Sequence, residues 1–335
     1  MKVAVVILNY NGKEHLNRFL PSVLETSEGA DVIVVDNGST DGSVEMLKEH
    51  FSNIRVLELE SNYGFAEGYN RALALLDEYE CYVLLNSDVK TPKGWLTPLV
   101  DRLSADSSIA VVGPKILSVE RAECFEYAGA SGGYIDYLGY PFCRGRILST
   151  IEVDEGQYND CREVFWVSGA AFCIRKSAYR SMGGLCGDFF AHMEEIDLCW
   201  RLQLDGWKIV VEPKSRVYHL GGGTLAANSP RKIFLNHRNN LAMLFRCAPP
   251  MQRAVVAVAR PLLDLAAAMS YAVKGNMAGA KATFAAWREF ILWHGRLSKE
   301  RQTIRGAVRC ESKYIYKGMI VLRYLLGKRK FKNMM

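Results

Sequence analysis

Several things are missing from this chain of 335 residues, and each absence removes a class of function. Its nine cysteines (81, 124, 143, 161, 173, 186, 199, 247 and 310) include no CxxC pair and are odd in number. Several sit in apolar or helical text, which reads as buried reduced thiols and not as a disulfide framework or zinc site. No G-x-G-x-x-G follows the first strand-like run, so a Rossmann dehydrogenase is disfavoured. No cleavage-site arrangement accompanies Met1–Leu8, which enters a strand pattern directly; the expectation is a cytoplasmic protein. A long uncharged apolar run is also missing. The nearest candidate, 252–273, contains Arg253, Arg260, Pro261 and Asp264, and each central charge costs roughly 2.5–3.5 kcal/mol on the insertion scale. A membrane span is not expected there, although Val255, Val258, Leu262, Leu265, Met269 and Val273 share one helical face.

Charge is unevenly divided. Residues 251–335 carry 17 Lys or Arg against 4 Asp or Glu, whereas the rest of the chain carries 25 against 32. A mildly acidic body is followed by a strongly basic tail, suited to an anionic partner surface. Arg301, Arg305, Arg309, Lys313 and Lys317 recur every fourth residue beside Ile304, Val308, Ile315, Met319 and Leu322. On a helix this pattern would form a basic stripe for a peripheral contact with the inner face of an anionic membrane, or an ordinary solvated face. Nothing in the tail interleaves aromatics with basic residues in a way that favours nucleic acid.

The first 115 residues alternate apolar runs with amphipathic segments. Strands are expected at 3–8, 31–35, 54–58, 81–86 and 109–112, and helices at 13–26, 41–50, 65–78 and 93–104. That alternation predicts βαβ units and a mostly parallel sheet. Residues 116–163 read as loops and short strands, 194–204 as a helix, 207–211 as a strand, and the text after 230 as helical.

In open α/β sheets, ligands lie beyond the carboxyl ends of strands. Asp36 and Asp88 each follow an apolar run that would end there. A fixed carboxylate at Asp36 can accept a hydrogen bond from a pyrimidine N3–H, or simply cap the Asn37–Gly42 turn. Asp88, with Asn86 two residues earlier on the same strand face, has the chemistry to hold Mg²⁺ or Mn²⁺ together with phosphate oxygens; an acidic residue after a strand is also a common turn former. Glu194, Glu195 and Asp197 open a helix. Asp197 can pair with Arg201 at i,i+4, leaving Glu194 or Glu195 free to take a proton. The alternative for that acidic turn is simple helix-dipole compensation. His219, before the glycines at 221–223 and Thr224, can approach a phosphate or metal, or be structural.

Taken in order, these pieces resemble the inverting glycosyltransferases of family 2, and within them the bacterial rhamnosyltransferase-like group. The resemblance rests on Val5–Gly12, Val34–Gly42, Asn62–Asn70, Leu84–Asp88, Trp166–Ala170, Glu194–Arg201 and His219. It implies a GT-A fold: an α/β catalytic domain over 1–245 with a mostly parallel sheet flanked by helices, and a basic helical region over 246–335. It further implies transfer of a sugar from a UDP- or dTDP-linked donor to a glycan or lipid-linked acceptor hydroxyl, in surface polysaccharide assembly.

Carried across by position, Asp36 binds the base, with Asn9 and Asn11 around the nucleotide. Asn62, Gly64, Asn70 and Asn86 join the substrate site, and Trp166, Gly169 and Ala170 line the sugar and acceptor pocket. Asp88 and His219 hold the divalent metal, and Glu195 is the base. Two departures accompany the resemblance. Asn86 replaces the first carboxylate of the DxD-type element. Glu195 stands where an aspartate is usual, which leaves Glu194 and Glu195 both open as the base. The rival readings are a sugar-1-phosphate nucleotidyltransferase, for which Asn9–Lys13 lacks the basic Gly-rich loop, and an inactive scaffold of the same fold.

Overall fold

The computed structural model describes residues 1–221 and 229–334. Gly222, Gly223 and Thr224 lie outside the described residues. In the amino-terminal half, β1 (Val3–Asn9), β2 (Ala30–Asp36), β3 (Arg55–Glu58) and β4 (Cys81–Asn86) alternate with α1 (Lys13–Thr26), α2 (Ser43–His50) and α3 (Gly64–Ala74). The short β5 (Val89–Lys90), α4 (Thr97–Ala105) and the long β6 (Ile109–Ser118) follow. Burial explains the strands: Val3–Ile7, Ile33–Val35 and Cys81–Leu85 are almost wholly removed from solvent, as expected of near-continuous apolar runs in a sheet covered on both faces.

The main sheet is completed by β12 (Ala171–Arg175) and β13 (Lys208–His219), which flank β6, with the two-residue β11 (Arg162–Glu163) at the edge. Its order is β11-β13-β6-β12-β4-β1-β2-β3. Pairs β4–β1, β1–β2, β2–β3 and β13–β6 are parallel, while β12 runs antiparallel to both β4 and β6. The sheet is therefore mixed. The antiparallel strand comes from the middle of the chain, where the βαβ rhythm has ended.

Residues 116–163, expected as loops and short strands, build a second sheet of β7 (Gly133–Asp136), β8 (Pro141–Cys143), β9 (Arg146–Ile147) and β10 (Thr150–Ile151). Its outer strand is β14 (Ile315–Tyr316), parallel to β7 and contributed by the carboxyl-terminal region. Phe331 packs against Tyr134 and Phe142 of the same sheet and against Tyr158 beyond it.

After α5 (Lys176–Ser181), α6 (Glu194–Leu204) leads into β13. Helices α7 (Pro230–Cys247), α8 (Pro250–Val273), α9 (Met277–Leu292), α10 (His294–Gly306) and α11 (Ile320–Leu325) complete the chain. The expected basic helical stripe is corrected here. Only Arg301 and Arg305 lie on α10, which stops at Gly306, a residue that weakens helices. The backbone N–H groups of Arg309 and Cys310 then donate to the Leu204 carbonyl, drawing the chain toward the edge strand. Arg309, Lys313 and Lys317 are consequently off the helix. The 255–273 stripe does fall on one face of α8, and that face is exposed.

Candidate active site

Parallel register aligns the carboxyl ends of the first strands. Asn9 sits opposite Asp36, and Leu8 opposite Asn86. With strands about 4.8 Å apart, Asp36 and Asn86 are two strand spacings from each other along one sheet edge. Asp36 is 3% exposed. It accepts from Asn9 Nδ2 at 3.0 Å and from the Ser39 backbone N–H at 2.8 Å. Turn capping, one of the two sequence readings, is thus real. Each oxygen retains a second lone pair for a ligand donor. Asn11, at φ 49°, fixes the same turn by accepting from the Thr40 N–H at 2.8 Å. The Asn9 Oδ1 atom is buried without a partner. A Cβ on Gly12 would lie 2.4 Å from that atom, so glycine is what leaves room for it.

Asn62, Gly64 and Asn70 are placed differently from expectation. Asn62 Oδ1 accepts from the Gly64 N–H and from Asn37 Nδ2. Gly64 has φ +77°, and a Cβ there would lie 2.7 Å from the Phe190 carbonyl oxygen. Asn70 Oδ1 accepts from the Tyr179 hydroxyl and the Leu185 N–H, and its amide donates to the Leu185 carbonyl. Asn70 thus braces α3 against residues 179–185, while Asn62 ties the start of α3 to Asn37. Trp166, expected to line the sugar and acceptor pocket, is buried. Its indole N–H donates to the Tyr134 carbonyl at 3.0 Å, its ring packs on Gly133, and it is 3% exposed. A large ring held this way packs in the hydrophobic core.

The other predicted groups converge. Pairing of β5 with β13 sets His219 opposite Val89, beside Asp88. His219 Nε2 is 3.1 Å from Asp88 Oδ1 and 3.5 Å from Asn86 Nδ2. On its other side Nδ1 faces Glu126 Oε2 at 3.4 Å, too long and poorly aligned for a full hydrogen bond. Burial alone would push the imidazole pKa down, but Asp88 and Glu126 outweigh it and hold the value up at about 10. In turn, His219 overcomes the burial of Asp88 and keeps its carboxyl below the usual range. Glu126 is 6% exposed and was not anticipated. It lies in the irregular stretch, and only its approach to β13 reveals it.

Across the antiparallel junction, the Asn86 N–H donates to the Ala170 carbonyl at 2.9 Å. Gly169 lies against Glu195, whose Cδ would sit 3.7 Å from a Cβ at 169, and its backbone N–H faces the Glu195 carboxylate. Both Glu194 and Glu195 keep one buried oxygen, Oε2, without a partner. Burial pushes both carboxyls up, Glu194 furthest because the Glu195 charge adds to it. Along α6 every residue is buried except Glu195, which is half-buried.

The entry to α6 is strained. Phe190, His192 and Met193 have φ of 64°, 71° and 71°, each costing about 1–3 kcal/mol for a non-glycine residue. Asn239 on α7 holds the turn by donating to the carbonyls of Phe189, Ala191 and His192 at 2.8–3.0 Å. One turn into the helix, Asp197 is fully buried between Arg201, at 2.8 Å, and Arg246. Burial would raise its pKa, but Arg246 and Arg201 hold it low. The predicted Asp197–Arg201 pair is present. The contributions of Asn239 and Arg246 were invisible because they lie 47–50 residues from the groups they bond.

Among the described residues, no three His, Cys, Asp or Glu side chains form a complete metal cage. The donor set at Asp88 and His219 still fits a hard divalent cation, since such ions often take only one or two protein ligands and complete their shell with phosphate oxygens. The Asp88 and Glu126 carboxylates that raise the His219 pKa make this a position that favours positive charge, and a cation held by His219 would take the place of its proton.

Comparison with known proteins identifies the family. Residues 4–180 match the glycosyl transferase family 2 profile, and the chain belongs to that family. It is a glycosyltransferase. It is similar to the N-acetylglucosaminyl-diphospho-decaprenol L-rhamnosyltransferase of Mycobacterium tuberculosis, with 29% identity over 258 residues, 72% of this chain and 83% of that relative. Among solved structures it is similar in fold to GalNAc-T7 with UDP, GalNAc and Mn²⁺, at a TM-score of 0.63 and 17% identity over 78% of this chain and 50% of that one. It is also similar to the mannosyltransferase PcManGT from Pyrobaculum calidifontis in complex with GDP-Man and Mn²⁺, at a TM-score of 0.53 and 17% identity over 98% of this chain and 88% of that one. These likenesses establish the GT-A fold.

Proposed function

We propose that the chain moves a sugar from a pyrimidine nucleoside diphosphate to a hydroxyl of a lipid-linked glycan, in one displacement that inverts the anomeric centre, working as a peripheral protein on the inner membrane face. The observation that carries this reading is the continuous path of contacts from Asp36 through Asn9 and the β4 end to His219 and Asp88 on one side and Glu195 on the other. A donor lying along that edge has its base at Asp36, its diphosphate near Asp88 and its sugar toward Gly169.

Within this arrangement Asn9 and the Ser39 backbone orient the Asp36 carboxylate to accept from the base. Asp88 and His219 would hold a divalent cation, which when bound would neutralise charge growing on the departing diphosphate. Glu195 takes the proton of the attacking hydroxyl. Glu194 has the more strongly raised pKa, so of the two Glu195 is the one that gives up its proton more readily. Neighbouring carboxyls whose pKa values are pushed apart divide labour in this way. Buried carboxylate oxygens without partners are costly, and their retention here supports an enzyme over a scaffold. The lipid-linked acceptor is supported by the relative's name together with the basic tail.

The test is nucleotide-sugar turnover with Mn²⁺ and Mg²⁺. Asp88→Ala should lower metal-stimulated turnover by about 10²–10³-fold, the scale of losing one electrostatic contact to a developing oxyanion. Unchanged turnover would remove Asp88 from the donor site.

A further inference from the structure

Helix α8 is inside out. The residues it buries are Gln252, Val256, Arg260, Asp264 and Ala268, three of them polar or charged. Gln252 donates to the Tyr137 carbonyl at 2.8 Å and Arg260 to the Leu138 carbonyl at 3.0 Å. The outward residues are Met251, Val255, Val258, Leu262, Leu265, Met269 and Val273, all exposed, with Val258 at 72% and Val273 at 88%. At 100° per residue these seven fall within about 40° of one line, opposite the buried set, over about 33 Å. Solvated helices do the reverse. No aromatic residue or arginine lies in the stripe, although those types anchor protein interfaces.

The neighbouring α9 is tied to α8 by the Trp287 indole N–H donating to Asp264 at 2.9 Å. Its outward line alternates apolar and basic: Met277, Lys281, Phe284, Arg288 and Ile291. Nearby acids offer no counter-charge. Asp264 is buried, while Glu289, Glu300 and Glu311 are paired with Arg238, Arg246 and Arg305.

We infer that α8 lies flat in the headgroup layer of an anionic bilayer, its aliphatic stripe in the acyl boundary and the α9 cations beside it on lipid phosphates. An apolar stripe of this length next to cations fits an in-plane helix. A span is excluded because its opposite face is bound through Arg260, Asp264 and Gln252 to the protein body. This inference deepens the proposed membrane contact and moves it from the 301–317 stripe to α8 and α9. It does not depend on which sugar is transferred.

The experiment is flotation of the full chain with vesicles of phosphatidylglycerol and phosphatidylcholine in equal parts, and with phosphatidylcholine alone. The chain should float with the anionic vesicles and release at high salt. The triple variant Val258→Asp, Leu262→Asp, Leu265→Asp should bind roughly tenfold or more weakly, since charges facing hydrocarbon are costly, while retaining nucleotide-sugar hydrolysis. Lys281→Glu with Arg288→Glu should lose the preference for anionic lipid. As a readout independent of that triple variant, Leu262→Trp should gain fluorescence quenched by brominated acyl chains. Equal flotation of the triple variant, or no quenching of the indole introduced by Leu262→Trp, would overturn the inference. So would a wild-type dimer that ignores vesicles and becomes monomeric in the triple variant, because the stripe would then be an interface between copies. Loss of sugar turnover in the wild type would damage the functional reading but leave flotation interpretable.

Discussion

Helices α6 and α8 both bury charge, yet for opposite reasons. In α8 both oxygens of Asp264 are occupied, Oδ1 by Arg260 and His237 at 3.3 Å and Oδ2 by Trp287 at 2.9 Å. In α6, Asp197 is occupied in the same manner by two arginines, whereas Glu194 and Glu195 each retain a buried oxygen with no partner. Burial of charge alone therefore separates nothing. A carboxylate whose hydrogen-bonding capacity is spent holds elements together, and one with capacity left over is poised for a ligand or a proton.

The largest effect that tests this contrast is on Glu195. Glu195→Gln should lower turnover by about 10²–10⁴-fold, the range for removing a general base, without lowering stability, because its charge is buried against no cation. Steady-state kinetics beside urea unfolding would measure both. A stable but fully active variant would break the contrast. Next comes the spent carboxylate: Asp197→Ala leaves Arg201 and Arg246 buried without their anion and should cost about 3–5 kcal/mol of unfolding free energy. Urea midpoints of that variant below the wild type by a fraction of this would mean that Glu300 and nearby carbonyls suffice for the arginines.

A smaller effect separates the two open carboxyls. A base works deprotonated, and burial has raised both members of the pair, so turnover should rise with pH through a midpoint above the ordinary glutamate value. Glu194→Gln keeps the shape of a protonated neighbour but removes its capacity to ionise. Turnover should survive with its acid limb little moved, because Glu195 is raised by its own burial and not by a charge on Glu194. If Glu194→Gln were instead as inactive as Glu195→Gln, the assignment of the base would reverse.

Strand ends and helix starts were legible because local pattern determines them. The runs at 3–8, 31–35 and 81–86 could hardly be anything but buried strands, and residues 13–26 and 194–204 became helices over the expected span. Asp36, Asp88, Glu195 and His219 could be singled out because each stands at the end of a strand or the start of a helix, where an open α/β sheet places its ligands. What was not legible depends on partners distant in sequence. Glu126 matters only because β13 passes it, Asn239 only because α7 crosses the strained turn, and Trp166 became core because Gly133 leaves space for its ring. The motif Asn62–Asn70 was recognisable, but the use of the Asn70 amide as a brace was not, since Tyr179 and Leu185 lie more than 100 residues away.

Helix α8 shows the same limit in its plainest form, and it supplies the mildest test. Its period of three and four identifies a helix and a stripe, but a period carries no sign: it cannot say which face turns inward. The protein body settles this by presenting backbone carbonyls at Tyr137 and Leu138, which call for donors and are met by Gln252 and Arg260. The aliphatic line is left outside as a consequence. Leu262→Ser should then change stability in water by less than about 0.5 kcal/mol, as for an ordinary surface position. By contrast, Val256→Ser, one of the few apolar residues on the inner face at 7% exposure, should cost on the order of 1–3 kcal/mol through lost burial and an added hydroxyl. Urea unfolding of the two variants measures the difference directly, and equal costs would mean that the outward stripe is covered in solution by the protein itself.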